Sequence, residues 1–104
     1  NQIDNVLDDF DILINCTSVG STINPGKSPL NEKVFINKSL IVYDVIYDPN
    51  PTQLLKNAIE FGLQTINGSL MNLEQAIIGF HYSTSYLTDN LNLEVIRKAM
   101  KGGN

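Results

Sequence analysis

The chain of 104 residues has no tryptophan, one cysteine and one histidine, and its 7 Lys and Arg are outnumbered by 11 Asp and Glu. A lone Cys16 excludes an internal disulfide framework, and with only His81 beside it no Cys/His metal set can be assembled. The few basic residues are scattered, so the clustered cations that a phosphate-backbone binder needs are missing and nucleic acid is not an expected partner. No run approaches the roughly 18 uninterrupted apolar residues of a membrane span, and no basic segment leading into an apolar stretch opens the chain. The glycines, at 20, 26, 62, 68, 79, 102 and 103, satisfy neither G-x-G-x-x-G nor G-x-x-x-x-G-K-[ST], which leaves the chain without a pyrophosphate cradle of its own.

What is present is 42% hydrophobic residues with a net charge of -4, enough apolar material for one globular domain spanning 1–104, with a cytoplasmic setting as the expectation. Ile3, Val6, Leu7 and Phe10 recur at helical spacing from the first residues, so the start reads as cut from something longer, whereas residues 101–104 read as a natural helix stop. Asp11 to Asn15 is a short apolar run expected to form a strand buried on both faces, and Cys16 after it reads as a small core residue. A loop rich in Ser, Thr, Gly and Pro follows to Asn31. Leu40 to Tyr47, β-branched and aromatic, is the strongest strand signal.

Asn50 and Pro51 read as an N-cap and first-turn proline for a helix whose stripe is Leu54, Leu55, Ala58 and Ile59, with Gly62 as its stop. Leu63 to Ile66 is a third short strand, and Asn67-Gly68 turns the chain into a helix that Ser69 can cap. That helix carries Leu70, Leu73, Ile77 and Phe80 on one face, and Met71, Ala76 and Ile78 on a second, so burial on two sides is expected. A last helix spans about Asn92 to Lys101, with Leu93, Ile96 and Met100 on one face and its basic residues toward the end, as the helix dipole favours. Strands alternating with helices predict an α/β fold: a parallel sheet of about three strands in three layers with flanking helices, half of a Rossmann arrangement.

In such sheets ligands bind beyond the carboxyl ends of the strands, where loops and helix N-termini converge. The residues to examine are therefore Asn15 to Gly20, Asp44 to Asp48 and Asn67 to Met71. His81 has no motif partner and reads as a structural or surface histidine. Asp8, Asp9 and Asp11 read as a solvated helix end.

Asn15-Cys16-Thr17-Ser18-Val19-Gly20, Ser28-Pro29-Leu30, Val42 to Pro49 with Thr52 and Leu54-Leu55, and Asn67-Gly68 with Met71 and Gln75-Ala76 resemble, in order and spacing, the C-terminal half of shikimate dehydrogenase. That resemblance implies an NADP-dependent oxidoreductase of aromatic amino acid biosynthesis, which reduces 3-dehydroshikimate to shikimate at a cleft between a substrate lobe and a Rossmann lobe. It further implies substrate contacts from Tyr47 and Gln75, and cofactor contacts from Val45, Gly68, Met71, Asn15, Thr17 and Ser18. The family's catalytic Lys-Asp pair and its glycine-rich turn precede the matched region, so the chain alone is expected to be inert and to form one wall of the site. Ser21 stands where many members carry Met, Cys16 where Ala or Thr is usual, and residues 80–85 lack the Trp and Gly typical there. A relative acting on quinate, or a stand-alone binding or dimerisation module, are the alternative readings. A bare strand edge at Asp11 to Asn15, or the face around Met71, would support a homodimer.

Overall fold

Apolar runs bounded by polar residues become adjacent strands because a parallel ladder satisfies their backbone groups while their side chains leave water. A computed structural model describes residues 2–84 and 92–102. The chain divides into two compact units, residues 1–69 and residues 70–104.

In the first unit, α1 (Gln2–Leu7) leads into β1 (Ile12–Asn15), followed by a single 3-10 turn at Glu32–Phe35, β2 (Ile41–Asp44), α2 (Gln53–Glu60) and β3 (Gln64–Ile66). The strands pair in parallel in the order β1-β2-β3, with Leu13 opposite Val42 and Val42 opposite Thr65. The expected three-stranded parallel sheet with flanking helices is thus present. One sheet face carries the core: Val42 packs with Leu54, Leu55 and Ala58 of α2, with Val34 and Phe35 of the 3-10 turn, and with Leu7 of α1. Burying several such side chains contributes about 1.5–3 kcal/mol each.

Several expectations are corrected. β1 is not buried on both faces: Ile12 and Ile14 are about half exposed (52% and 50%), because β1 is the sheet edge and these two side chains alternate away from the core face. Only Leu7 of the opening helical stripe is buried, and Phe10, beyond the end of α1, is exposed. α2 is capped by Thr52, whose hydroxyl accepts the Leu55 N–H, and not by Asn50. The physical reason is tertiary: the same hydroxyl donates to a carboxylate in β2, which holds it in the capping position. Ile59, the outer member of the α2 stripe, is exposed. Gly62 has φ 76° and ends the helix as expected, in a left-handed conformation that suits glycine.

The second unit holds most of α3 (Ser69–Thr84) and all of α4 (Leu93–Met100). The Asn67 side chain accepts the Ser69 N–H at the start of α3. Burial of α3 on two sides is not observed: among its residues only Ile77 is buried, and Leu70, Met71, Ile78 and Phe80 are exposed. α4 begins where periodicity places it, with Asn92 accepting the Val95 N–H. Arg97 of α4 holds the Glu74 carboxylate of α3 with two bonds of 2.9 Å each, and reaches Glu94 at 2.8 Å. The expected helix stop is present at Gly102, with φ 87°. Gly103 and Asn104, like Ser85 of the segment that departs from the family pattern, lie outside the described residues.

Candidate functional site

Each parallel strand delivers its C-terminal residue to the same rim, and there the first unit concentrates its buried polar side chains. Asn15 ends β1 and is 5% exposed; Asp44 ends β2 and is fully buried. The Asn15 amide donates to Asp44 Oδ1 at 3.1 Å, while its own oxygen accepts both the Thr17 N–H (3.0 Å) and the Thr17 hydroxyl (2.7 Å). Thr17 Oγ1 in turn accepts the Val19 N–H, and the Ser18 carbonyl accepts the Ser21 N–H. These side-chain bonds substitute for ladder bonds in a segment with no strand beside it. They give the Asn15 to Ser21 loop a defined course.

Asp44 Oδ1 also accepts the Ile46 N–H at 3.1 Å, and Oδ2 accepts the Thr52 hydroxyl at 2.7 Å. No Lys, Arg or His pairs with Asp44 among the described residues, so neutral donors alone satisfy this buried carboxylate. The Val45 N–H donates to the Asn15 carbonyl, which joins the first two loops through their backbones.

Gly68, after β3, closes the group. Its N–H donates to the Ile46 carbonyl at 3.2 Å, and a Cβ at this position would run into the carbonyl carbon and oxygen of Val45. The backbones touch here, and only glycine allows it. A cavity of about 320 Å³ opens beside this contact, lined by Ser21, Thr22 and Ile23 from one loop and by Val45, Ile46, Tyr47 and Asp48 from the other. Tyr47 is half exposed at its mouth.

The structure therefore brings together Asn15, Thr17, Val45 and Gly68, with Ser18 next in the same loop and Tyr47 lining the adjacent cavity. Met71 and Gln75 lie on exposed positions of α3 in the second unit, where the Gln75 amide donates to Asn72. Cys16 is exposed, not the core residue expected, because it follows the edge strand on its open side. His81 makes an edge contact with Tyr82. Asp8, Asp9 and Asp11 are exposed, and Asp8 pairs with Lys38 at 2.8 Å. Asp44 lies within the 44–48 segment that strand polarity selects, although no ligand contact is expected of it, whereas Thr52 lies outside all three selected segments; an acid inside the most apolar strand run is the further signal for Asp44. No cluster of three or more metal-ligating side chains occurs among the described residues, and no helix among them is long and apolar enough to cross a membrane.

No protein-family profile matches the chain. Individual proteins do. A shikimate dehydrogenase (NADP(+)) of Prochlorococcus marinus is 36% identical over 107 aligned positions, covering 97% of this chain and 36% of its own length. A shikimate 5-dehydrogenase of Listeria monocytogenes, solved with shikimate and NAD, is 30% identical with a TM-score of 0.70, over 95% of this chain and 33% of that one. A shikimate dehydrogenase solved with NADP+ gives the same TM-score of 0.70 at 32% identity, over 97% of this chain and 34% of that one. The chain spans about a third of the length of the relatives it matches. Along that third, the chain is similar in sequence and in fold to shikimate dehydrogenases.

Proposed function

We propose that this chain is the C-terminal half of the NADP-binding Rossmann domain, with its following helices, of an enzyme that reduces 3-dehydroshikimate to shikimate with NADPH in the cytoplasm. The single observation that carries the reading is the side-chain-free contact of Gly68 on the Val45 carbonyl, set between the Asn15 to Ser18 loop and the Tyr47 cavity. That buried contact keeps the two loop backbones together, so that the short aliphatic side chain of Val45 and the exposed Thr17 and Ser18 border the rim a flat ring would occupy. The residues fit the nicotinamide end of NADP, and without a glycine-rich turn they do not fit its pyrophosphate.

In this reading Val45, Gly68 and Met71 bound the nicotinamide, while Asn15, Thr17 and Ser18 pass beside it. The bound cofactor supplies the hydride. Tyr47, through its phenolic hydroxyl, and Gln75, through its amide, bind hydroxyl groups of shikimate, and their binding orients the carbinol carbon. A carboxamide cannot take up the carbinol proton, and among the described residues no basic side chain bonds to the Tyr47 hydroxyl to make it a base. That step needs a positioned acid-base group, and the chain by itself is accordingly inert.

The test is shikimate oxidation with NADP+, followed by NADPH absorbance, in the longer enzyme that carries this segment, with the isolated chain as control. Turnover in the first and none in the second is expected. Turnover by the isolated chain, or a folded longer enzyme that ignores shikimate and accepts quinate, would overturn the assignment. In isolation the chain is also expected to pair with a second copy, through the open edge of β1 or the Met71 face of α3, since both expose apolar side chains. Sedimentation at rising concentration checks this, and a monomer throughout would refute it.

A further inference from the structure

We infer that Asp44 is the positioning residue of the cofactor-facing rim: one buried carboxylate holds the segments after β1 and β2 directly, and through the Ile46 peptide it sets the seat of Gly68. The inference rests on the reading of that rim as the nicotinamide site, and adds to it a residue that touches no ligand.

Three donors converge on Asp44: one ends β1, one follows β2 at the rim, and one caps α2 behind it. Through the Asn15 amide it holds the first loop, because the rest of the Asn15 side chain accepts from Thr17, and Thr17 accepts from Val19. Through the Ile46 N–H it sets the orientation of the 45–46 peptide, whose own carbonyl, with that of Ile46 next to it, is the surface on which Gly68 rests. Through the Thr52 hydroxyl it fixes the start of α2, where Thr52 caps Leu55. A single side chain thereby couples Thr17, Val45 and Gly68. Charge-assisted bonds of this kind are about twice as strong as neutral ones, and a network of them rigidifies what it connects.

The two oxygens have separable tasks. Oδ1 holds the loops, and Oδ2 holds the helix cap. Losing Oδ2's partner should loosen α2 and leave the rim in place, whereas losing Oδ1 should release the rim. Asp44→Asn separates these as well. An amide can keep its oxygen toward Asn15 and Ile46 and turn its nitrogen to Thr52, which then accepts instead of donating. Asp44→Ala removes every bond at once.

The experiment uses the longer enzyme and measures NADP+ affinity together with kcat and KM for shikimate. Amide resonances of Thr17, Val19, Ile46 and Gly68 are recorded below the melting temperature of each variant. Asp44→Ala is expected to weaken NADP+ binding by about tenfold or more, the equivalent of one lost charge-assisted bond, and to shift all four resonances. Asp44→Asn should recover most of that loss. Thr52→Val is expected to lower the melting temperature, while NADP+ affinity stays within about twofold and the Thr17 and Val19 resonances stay in place.

Equal losses of NADP+ affinity in Asp44→Ala and Thr52→Val would overturn the positioning role and reduce Asp44 to a fold-stabilising residue. If Asp44→Ala does not fold, Asp44→Asn decides. Parental affinity and parental resonances support the proposal, and a tenfold loss with unmoved resonances overturns it. An unsubstituted enzyme that binds no NADP+ would instead overturn the cofactor reading, and the functional half of this inference with it.

Discussion

Replacing Gly68 with alanine should disturb the molecule far more than one methyl group usually does. The added Cβ would overlap the Val45 carbonyl carbon and oxygen and lie 3.0 Å from the carbonyl carbon of Ile46. These are backbone atoms, so no rotamer change relieves the clash. Overpacking of this kind costs about 1–3 kcal/mol, and displacing the peptide also weakens the Gly68 N–H bond to Ile46, at about 1 kcal/mol. The sum, about 3 kcal/mol, corresponds to a fall in melting temperature on the order of 15 °C for a chain of this size. Two other glycines serve as internal standards. Gly79, inside α3, has nothing within 4 Å of its would-be Cβ, so Gly79→Ala should stabilise by up to about 1 kcal/mol. Gly62 also has open space but sits at φ 76°, so Gly62→Ala should cost about 1 kcal/mol from backbone conformation alone. Thermal and urea unfolding of the three variants give the comparison. A Gly68→Ala protein no less stable than Gly62→Ala would mean that peptide 45–46 can move aside, and the close-packed rim would have to be abandoned.

Thr52→Ala should destabilise by about 2–3 kcal/mol in urea unfolding, because it removes a cap and leaves an Asp44 oxygen buried without its donor. Cys16, exposed at the open edge, should react with one equivalent of a thiol reagent in the native state without loss of far-ultraviolet circular dichroism. The Arg97 hydrogen bonds hold the Glu74 carboxyl below its ordinary value, and the same pair raises Arg97. A lowered carboxyl contributes stability that is present above its unfolded value, about pH 4.3, and is lost as pH falls through the lower folded value. Glu74→Gln should therefore flatten the acid limb of the stability curve, and an unchanged limb would refute this. Arg97→Lys, which cannot make the two-pronged contact, should lower stability near neutral pH and reduce its salt dependence, as read from thermal melts at two ionic strengths.

The parts of the fold legible in the sequence were those set by local pattern. Ile41 to Asp44 became a strand because β-branched and aromatic residues cluster there, and α4 started at Asn92 because its cap and its stripe are both local. The α2 start was misplaced by two residues because Asn50-Pro51 is a good local signal, while the Thr52 cap depends on a carboxylate eight residues earlier. The exposure of Ile12 and Ile14 was missed for a similar reason. An apolar run reports that a strand wants burial; it does not report how many neighbours that strand has. At the site, strand polarity alone was enough to pick the carboxyl rim, and Asn15, Thr17, Val45 and Gly68 do meet there. The Asp44 connection was not legible, because it joins positions 15, 46 and 52, whose proximity exists only once the sheet has formed.

The sequential strand order also bears on how the chain acquires its shape during synthesis. Paired residues are 29 apart between β1 and β2 and 23 apart between β2 and β3, so every strand docks onto one that was made immediately before it. Among the described strands none has to wait for a distant partner, and the loop-closure entropy of each step is modest. Asp44 arrives last in β2, after Asn15 and just before Thr52, and can knit the rim as soon as α2 emerges. Assembly is thus expected to run in one direction along the chain, from β1 to β3, and pulse-labelled amide protection on stalled ribosomes would show Val42 shielded before Thr65; the reverse order would refute a vectorial route.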